Sequence, residues 1–206
     1  MKKGLLILSS LFILSGASPI LAQNNNITDI IEQREKDFEE LEAVDLFTGT
    51  WMVGTDVPAG RFVITGEGSG NFFVRDKSGY SVVNEILDDS ENWGVSSVTF
   101  DLEDGQEIEI SGLNNVYFTP YETELRTSLT TGVRIVGVDI KEGAYVASTD
   151  NGSGNFFVRD HKGGTSKVNE ILDPEGEWGV EKIALNLTDG QVIEISGLNS
   201  VDFTAR

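Results

Sequence analysis

His161 is the only histidine and cysteine is absent, so any Ser/His/acid or Cys/His arrangement for nucleophilic catalysis turns on a single residue. That residue lies in a turn whose counterpart elsewhere in the chain carries Lys77, and it reads as a solvated surface group. Zinc centres draw on Cys and His in numbers this composition lacks, so no metal ligand is assigned. Carboxylates are abundant, and four pairs recur: Asp76 with Asp160, Glu85 with Glu170, Asp88 with Asp173, and Glu109 with Glu194. An acidic glycan hydrolase needs a general acid and a second carboxylate at a set separation. In so acidic a chain such pairs arise freely, and small domains rarely supply the deep, water-excluding cleft the reaction requires. No catalytic residue is assigned. The run Asp150 to Asn155 is oxygen-rich like a calcium loop but lacks the downstream bidentate acid, and its Gly-Ser-Gly stretch has neither a Walker lysine nor a following helix. It reads as a Gly-rich hairpin, and no cofactor is implied.

A binding surface is the chemistry left. In Asn71 to Asp76, alternation along a strand sets Phe72 and Val74 on one face and Phe73 and Arg75 on the other. Burial of the first pair turns an aromatic ring and a guanidinium outward, a combination that stacks on sugars or anchors protein contacts. Phe157 and Arg159 repeat the arrangement. Trp93 and Trp178, each followed by glycine, are further candidates, as exposed platforms or as parts of a turn. Phe73, Arg75, Trp93, Phe157, Arg159 and Trp178 are therefore the candidate ligand-binding residues, with burial of the two Phe rings in a second core or between domains as the alternative.

These residues sit on a duplicated framework. GSGNFFVRD occurs at 68–76 and again at 152–160, VNEILD at 83–88 and 168–173, and the run from Ile108 to Asn114 reappears unchanged from Ile193 to Asn199. Roughly half of the aligned positions are identical at an offset of about 83 to 85 residues, a whole-domain duplication and not a solenoid period. Within each copy, short segments alternate with period two, as in Val98, Phe100 and Leu102 or Ile108 and Ile110, which predicts strands with one buried face and excludes helix there. The expected fold is all-β: two tandem copies of a small antiparallel β-sandwich or barrel, preceded by a short amphipathic helix. Hairpin turns are expected at Asp104-Gly105 and its copy Asp189-Gly190, at 66–70, at Ser78-Gly79 and around 88–92. Asp56 to Gly60 reads as a type I turn that survives the exchange of Pro58 for Lys141 in the second copy.

Ile27, Ile30, Ile31, Phe38 and Leu41 share one face of a helix expected from near Thr28 to Ala43. The boundaries that follow are a signal peptide at 1–22, helix and linker at 23–46, β-repeat 1 at 47–120, a linker at 121–131 and β-repeat 2 at 132–206. A domain of about 70 residues buries only some 60% of its unfolded surface, so without disulfides the copies are expected to pack together, with a pseudo-twofold relation as one arrangement. The helix is expected to dock on the first domain, to act as a spacer or to mediate self-association.

The segment WMVGTDVPAGRFVI from Trp51 to Ile64, followed by VTFDLEDGQEIEI from Val98 to Ile110, resembles a repeat of uncharacterised secreted proteins and lipoproteins of Gram-positive bacteria. In that repeat a Val-Gly-x-Asp-Ile-Pro-Ala-Gly-x-Tyr opening precedes an Asp-Gly-Gln strand pair. The resemblance spans each copy nearly end to end and carries no activity with it. The chain departs from the lipoprotein members in having no lipobox cysteine, and it shows no LPXTG-type signal, which implies release or non-covalent retention.

Lys2 and Lys3 before the apolar stretch Leu5 to Leu14 form the pattern of an export signal, with cleavage expected behind Ala22. The stretch is shorter than the roughly 20 residues that cross a bilayer, so no membrane insertion of the mature chain is expected. With 34 acidic against 15 basic residues and a net charge of -19, nucleic acid and anionic lipid are poor partners. The sequence thus predicts an extracellular, non-catalytic binding protein whose partner is a cell-surface component or a secreted or host protein. A structural subunit assembled through the helix and an acidic glycan hydrolase are the alternatives.

Overall fold

The computed structural model describes residues 26–206; the export signal expected at 1–22 lies outside the described residues. The chain is all-β apart from one helix, α1 (Ile27–Glu40). The first copy contributes β1 (Val44–Leu46), β2 (Gly49–Met52), β3 (Gly60–Gly66), β4 (Ser69–Arg75), β5 (Ser81–Asp88), β6 (Ser97–Leu102), β7 (Glu107–Ser111) and β8 (Val116–Pro120). The second repeats them as β9 (Ser128–Leu129), β10 (Gly132–Ile135), β11 (Gly143–Ser148), β12 (Gly154–Arg159), β13 (Ser166–Leu172), β14 (Lys182–Leu187), β15 (Val192–Ser196) and β16 (Val201–Ala205). Each copy is two four-stranded sheets, ordered β1-β8-β3-β6 and β2-β7-β4-β5 in the first, β9-β16-β11-β14 and β10-β15-β12-β13 in the second.

The alternation read from the sequence builds both cores. Phe62 and Ile64 of β3, Phe118 of β8, Phe72 and Val74 of β4 and Ile108 and Ile110 of β7 are buried in one cluster. Phe72 and Phe118 meet across the two sheets at 6.1 Å between ring centroids. In the second copy Phe156 and Phe203 meet in the same way at 6.0 Å.

Period two says which face a side chain takes but not which strand lies beside it, and the turns show the difference. Only Ser78-Gly79 joins a paired hairpin, β4 with β5. Asp104-Gly105, the 66–70 segment and the 88–92 segment each carry the chain from one sheet to the other, because β6 pairs with β3 while β7 pairs with β2 and β4. The turn expected at Asp56–Gly60 falls earlier, on Gly54–Asp56. Gly54 supplies a φ of +88°, and the Asp56 carboxylate accepts the Met52 N–H at 2.8 Å. The copies also start earlier than their expected bounds: β1 lies in the segment read as helix and linker, and β9 in the segment read as the second linker.

The copies share a sheet. Parallel pairing of β6 with β10, centred on Gly132 opposite Thr99, joins half of the first sandwich to half of the second in one eight-stranded sheet. Because β10 is the counterpart of β2 and not of β6, the contact is head-to-tail. The pseudo-twofold relation is thereby corrected, since a twofold would bring equivalent strands together.

Helix α1 lies across this junction. Asn26 caps it by accepting the Thr28 N–H, and Ile27, Ile30 and Ile31 pack against Ile135 and Val138 of the second copy. Its isoleucines are thus packed inside the chain, while Phe38 of the same face stays exposed. Arg34, one turn on, donates to Asp139 of the second copy at 3.1 Å and to Asp101 of the first at 3.3 Å. Arg61 bonds the same two carboxylates, at 2.6 Å to Asp101 and 3.2 Å to Asp139. Burial alone would raise both aspartates, but the guanidiniums of Arg61 and Arg34 outweigh it and hold them below the ordinary carboxylate value. Arg134 completes the cluster with carbonyl partners, Thr99 of the first copy among them. Burial and the neighbouring Arg61 charge pull it down to about 10, which leaves it charged at neutral pH. The guanidiniums of Arg61, Arg126 and Arg134 all lie over the ring of buried Tyr121, at 5.0, 5.6 and 5.7 Å. The connector is therefore part of the junction.

A head-to-tail contact can repeat without closing, and the chain leaves the same two kinds of edge, β2 and β14, at its ends. The locking groups are missing there. Where the junction has Arg61, Asp101 and Arg134, the ends have Ala144, Asn186 and Trp51. The Trp51 indole lies beside Gly49 and its N–H donates to the Phe47 carbonyl at 2.9 Å, which covers an otherwise open edge carbonyl.

Candidate functional site

Each copy carries one rigid loop with a bare tryptophan at its tip. Strand β5 ends in Asp88, only 2% exposed, whose carboxylate accepts the backbone N–H groups of Ser90, Asn92 and Trp93 and the Ser90 hydroxyl, at 2.7 to 3.1 Å. The loop then closes on the strand it left, Val95 N–H donating to the Ile86 carbonyl and Asp88 N–H to the Val95 carbonyl. A Cβ on Gly94 would stand 2.2 Å from the Ile86 oxygen, so glycine is what lets the backbone press so closely against β5. The second copy repeats the device: Asp173 accepts from Glu175 and Trp178 N–H, Val180 returns to the Ile171 carbonyl, and Gly179 is as tightly placed as Gly94.

Trp93 is 80% exposed and Trp178 75%, with Ile86 and Ile171 also exposed on the strands that the loops close against. Each indole beside an exposed isoleucine forms a small apolar patch, and contiguous apolar patches are the surfaces that contacts cover. The two aspartates titrate low, Asp88 through the Ser90 hydroxyl and the Trp93 N–H, Asp173 chiefly through the Trp178 N–H. Asp88→Ala is expected to free the loop while the sandwich remains folded. Amide exchange should accelerate at Ser90, Asn92 and Trp93 and stay unchanged in β3 and β7; protection retained in the loop would show that the carboxylate does not anchor it. A low folded pKa makes this anchoring complete at neutral pH and lost only as pH falls through that lowered value.

The other expected residues are placed differently. Phe73 and Arg75 share the outward face of β4, as alternation requires, but the guanidinium lies over the ring at 5.6 Å and is bonded to Glu109 at 2.6 Å. Phe157, Arg159 and Glu194 repeat the stack in the second copy, at 5.2 Å and 3.0 Å. Both Phe rings are half-buried. Phe157 lines a cleft of about 660 Å³ between the copies, together with Val82, Glu85 and Lys162, and Phe73 does not. A second depression, of about 550 Å³, runs beneath Trp93 toward Asn151, Ser153 and Asn199 of the second copy. Asn84 and Glu85 line both, so the two meet there. Phe157 thus lines one depression between the copies and Trp93 the neighbouring one, while Phe73, Arg75, Arg159 and Trp178 line neither.

Seven of the eight recurrent carboxylates have structural tasks, and Glu170 is exposed with no side-chain partner among the described residues. Asp76 accepts the N–H groups of Ser78 and Tyr80 in its own turn, Asp160 pairs with Lys167, and Glu109 and Glu194 hold the arginines. Glu85 is raised by burial, an effect partly offset where it accepts the Gly197 N–H across the junction at 3.2 Å. His161 is exposed in the β12–β13 turn. Among the described residues no three carboxylate or imidazole groups converge as a metal site would require, and no helix is long and apolar enough to cross a membrane.

Sequence reasoning missed the anchoring role of Asp88 and Asp173, which it weighed only as carboxylates for hydrolysis, weighed Asn151 only within the oxygen-rich run Asp150 to Asn155, and missed Asn199. The spacing Asp-x-x-x-x-Trp-Gly, present in both copies, was the available signal for the two aspartates; nothing local marks Asn199. The chain matches no family model, no curated protein and no solved structure.

Proposed function

We propose that the chain is an exported, non-catalytic tandem β-domain protein that binds a cell-surface component or a partner protein through its two tryptophan loops. The carrying observation is the exposure of Trp93 and Trp178 on loops fixed by buried aspartates. A rigid aromatic tip has little conformational freedom to lose when it is covered, and truncation of such anchors typically removes most of an interface's affinity. Two loops on one rigid body add avidity where a surface presents repeated sites. The acidic field directs the protein away from nucleic acid and anionic lipid. Assembly through α1 draws little support from a helix whose isoleucines are already packed within the chain, and hydrolysis draws little from carboxylates most of which are engaged in turns and ion pairs.

The test is retention of partners from the producing cells' surface and medium by immobilised wild-type protein and by the Trp93→Ala/Trp178→Ala variant. The variant is expected to lose the retained material while its unfolding free energy stays within about 0.5 kcal/mol, as for exposed positions generally. Retention of the same set by both proteins would place binding elsewhere.

A further inference from the structure

We infer that the cleft between the two copies, floored at Asn84 and Glu85 and flanked by Trp93 and Phe157, binds a neutral glycan chain; this rests on the reading of the Trp93 loop as a binding element. The inference comes from which polar groups the cleft leaves uncommitted. Most of its charged groups are committed: Glu103 pairs with Lys162 at 2.9 Å, Glu194 with Arg159 at 3.0 Å, Glu85 accepts the Gly197 N–H and Asp76 caps its own turn, which leaves Glu91 as the one lining carboxylate without a side-chain partner among the described residues. A site for a cationic peptide would present several free carboxylates, and an anionic polymer would meet the field of a chain carrying a net charge of -19.

Beside that one carboxylate, what remains is amide. Asn84 and Asn151 are exposed and make no side-chain hydrogen bond among the described residues. Asn199 uses its carbonyl oxygen to accept from the Ser96 N–H and hydroxyl across the junction, at 2.7 and 3.1 Å, which leaves its NH2 group as donor. A carboxamide offers donor and acceptor side by side, the complement of neighbouring hydroxyl groups that each donate and accept. An exposed indole supplies the flat apolar surface that the C–H face of a sugar ring covers. The two joined depressions, about 660 and 550 Å³, are of the size of small-molecule sites and suit a short oligosaccharide better than a single ring.

Only Trp93 has a neighbouring copy to form this cleft, so Trp178 is an internal control on the same chain. Soluble neutral tetrasaccharides are to be titrated against the full protein by isothermal titration calorimetry: β-1,4-linked N-acetylglucosamine, β-1,4-linked glucose and β-1,4-linked mannose. Tetralysine and a tetragalacturonate serve as charged comparators. The expected result is saturable binding of at least one neutral chain, weakened about tenfold or more by Trp93→Ala, the loss of about 1.4 kcal/mol or more that truncating a central aromatic brings, and by less than about twofold by Trp178→Ala. Asn151→Ala should also weaken it, with no change in unfolding midpoint. The inference is overturned if no neutral chain binds up to roughly millimolar concentration, if tetralysine or tetragalacturonate binds better, or if the two tryptophan variants lose binding equally. Should the neutral panel fail while retention on cells still requires the tryptophans, the glycan assignment falls and the binding reading stands.

Discussion

Asp139→Ala is expected to lower the unfolding free energy by about 3–5 kcal/mol, the typical cost of removing one partner from a buried ionic cluster. Asp139 is fully buried and accepts from Arg34, Arg61 and the Ile135 N–H, so its loss leaves three guanidiniums facing Asp101 alone. Position 56 provides the comparison within the same chain. Asp56 occupies the equivalent place in the first copy, but it is exposed and caps only the Met52 N–H, so Asp56→Ala should cost about 0.5–1.5 kcal/mol. Urea unfolding of the two variants checks the contrast; equal losses would mean that the junction cluster contributes nothing beyond the turn. The pH response follows the same logic. Folded-state values below the ordinary one make the Asp101 and Asp139 contribution complete above the unfolded pKa, and it is lost as pH falls through the lowered folded values. Acid should therefore separate the copies before it melts their cores.

Gly132→Ala is the second large effect. The added Cβ would stand 2.0 Å from the Thr99 carbonyl oxygen, a backbone atom of the first copy, at a φ of +134° that L side chains rarely adopt. Neither the strain nor the clash can relax while β6 and β10 remain paired. Backbone strain of this kind costs about 1–3 kcal/mol on its own, and opening the junction to relieve the clash adds the cluster's contribution to the loss. Gly49→Ala, at the same place in the first copy, meets only the Trp51 side chain at 3.4 Å and no backbone atom and should cost about 1 kcal/mol. Unfolding midpoints decide it, together with exchange at the Thr99 amide, which donates to the Thr131 carbonyl across the junction.

The duplicated sheets were legible because burial enforces period two, and the Phe72/Phe73 and Phe156/Phe157 pairs fell on opposite faces as the pattern required. The path of the chain between sheets was not, since an Asp-Gly pair turns the backbone equally well within a sheet or between two, as Asp104-Gly105 does. The junction was invisible for a different reason: which edges of two sandwiches meet depends on groups far apart in sequence, Arg34, Arg61, Asp101, Arg134 and Asp139. Their trace in the sequence is a break in an otherwise close repeat. Arg61 faces Ala144, Asp101 faces Asn186 and Arg134 faces Trp51 in the alignment of the copies, so departures from identity, and not the identities, marked the interface. The tryptophan loops were half legible: residue type singled out Trp93 and Trp178, but their exposure rests on aspartates that composition alone could not separate from the rest of the 34 acidic side chains.

The three indole N–H groups of Trp51, Trp93 and Trp178 give three nitrogen-correlated resonances that can be followed as retained cell-surface material is added to labelled protein. Trp93 and Trp178 should shift or broaden together, while Trp51, whose N–H is committed to the Phe47 carbonyl, stays fixed. Binding with the Trp93 and Trp178 resonances unaltered would contradict the assignment of these loops as the contact surface.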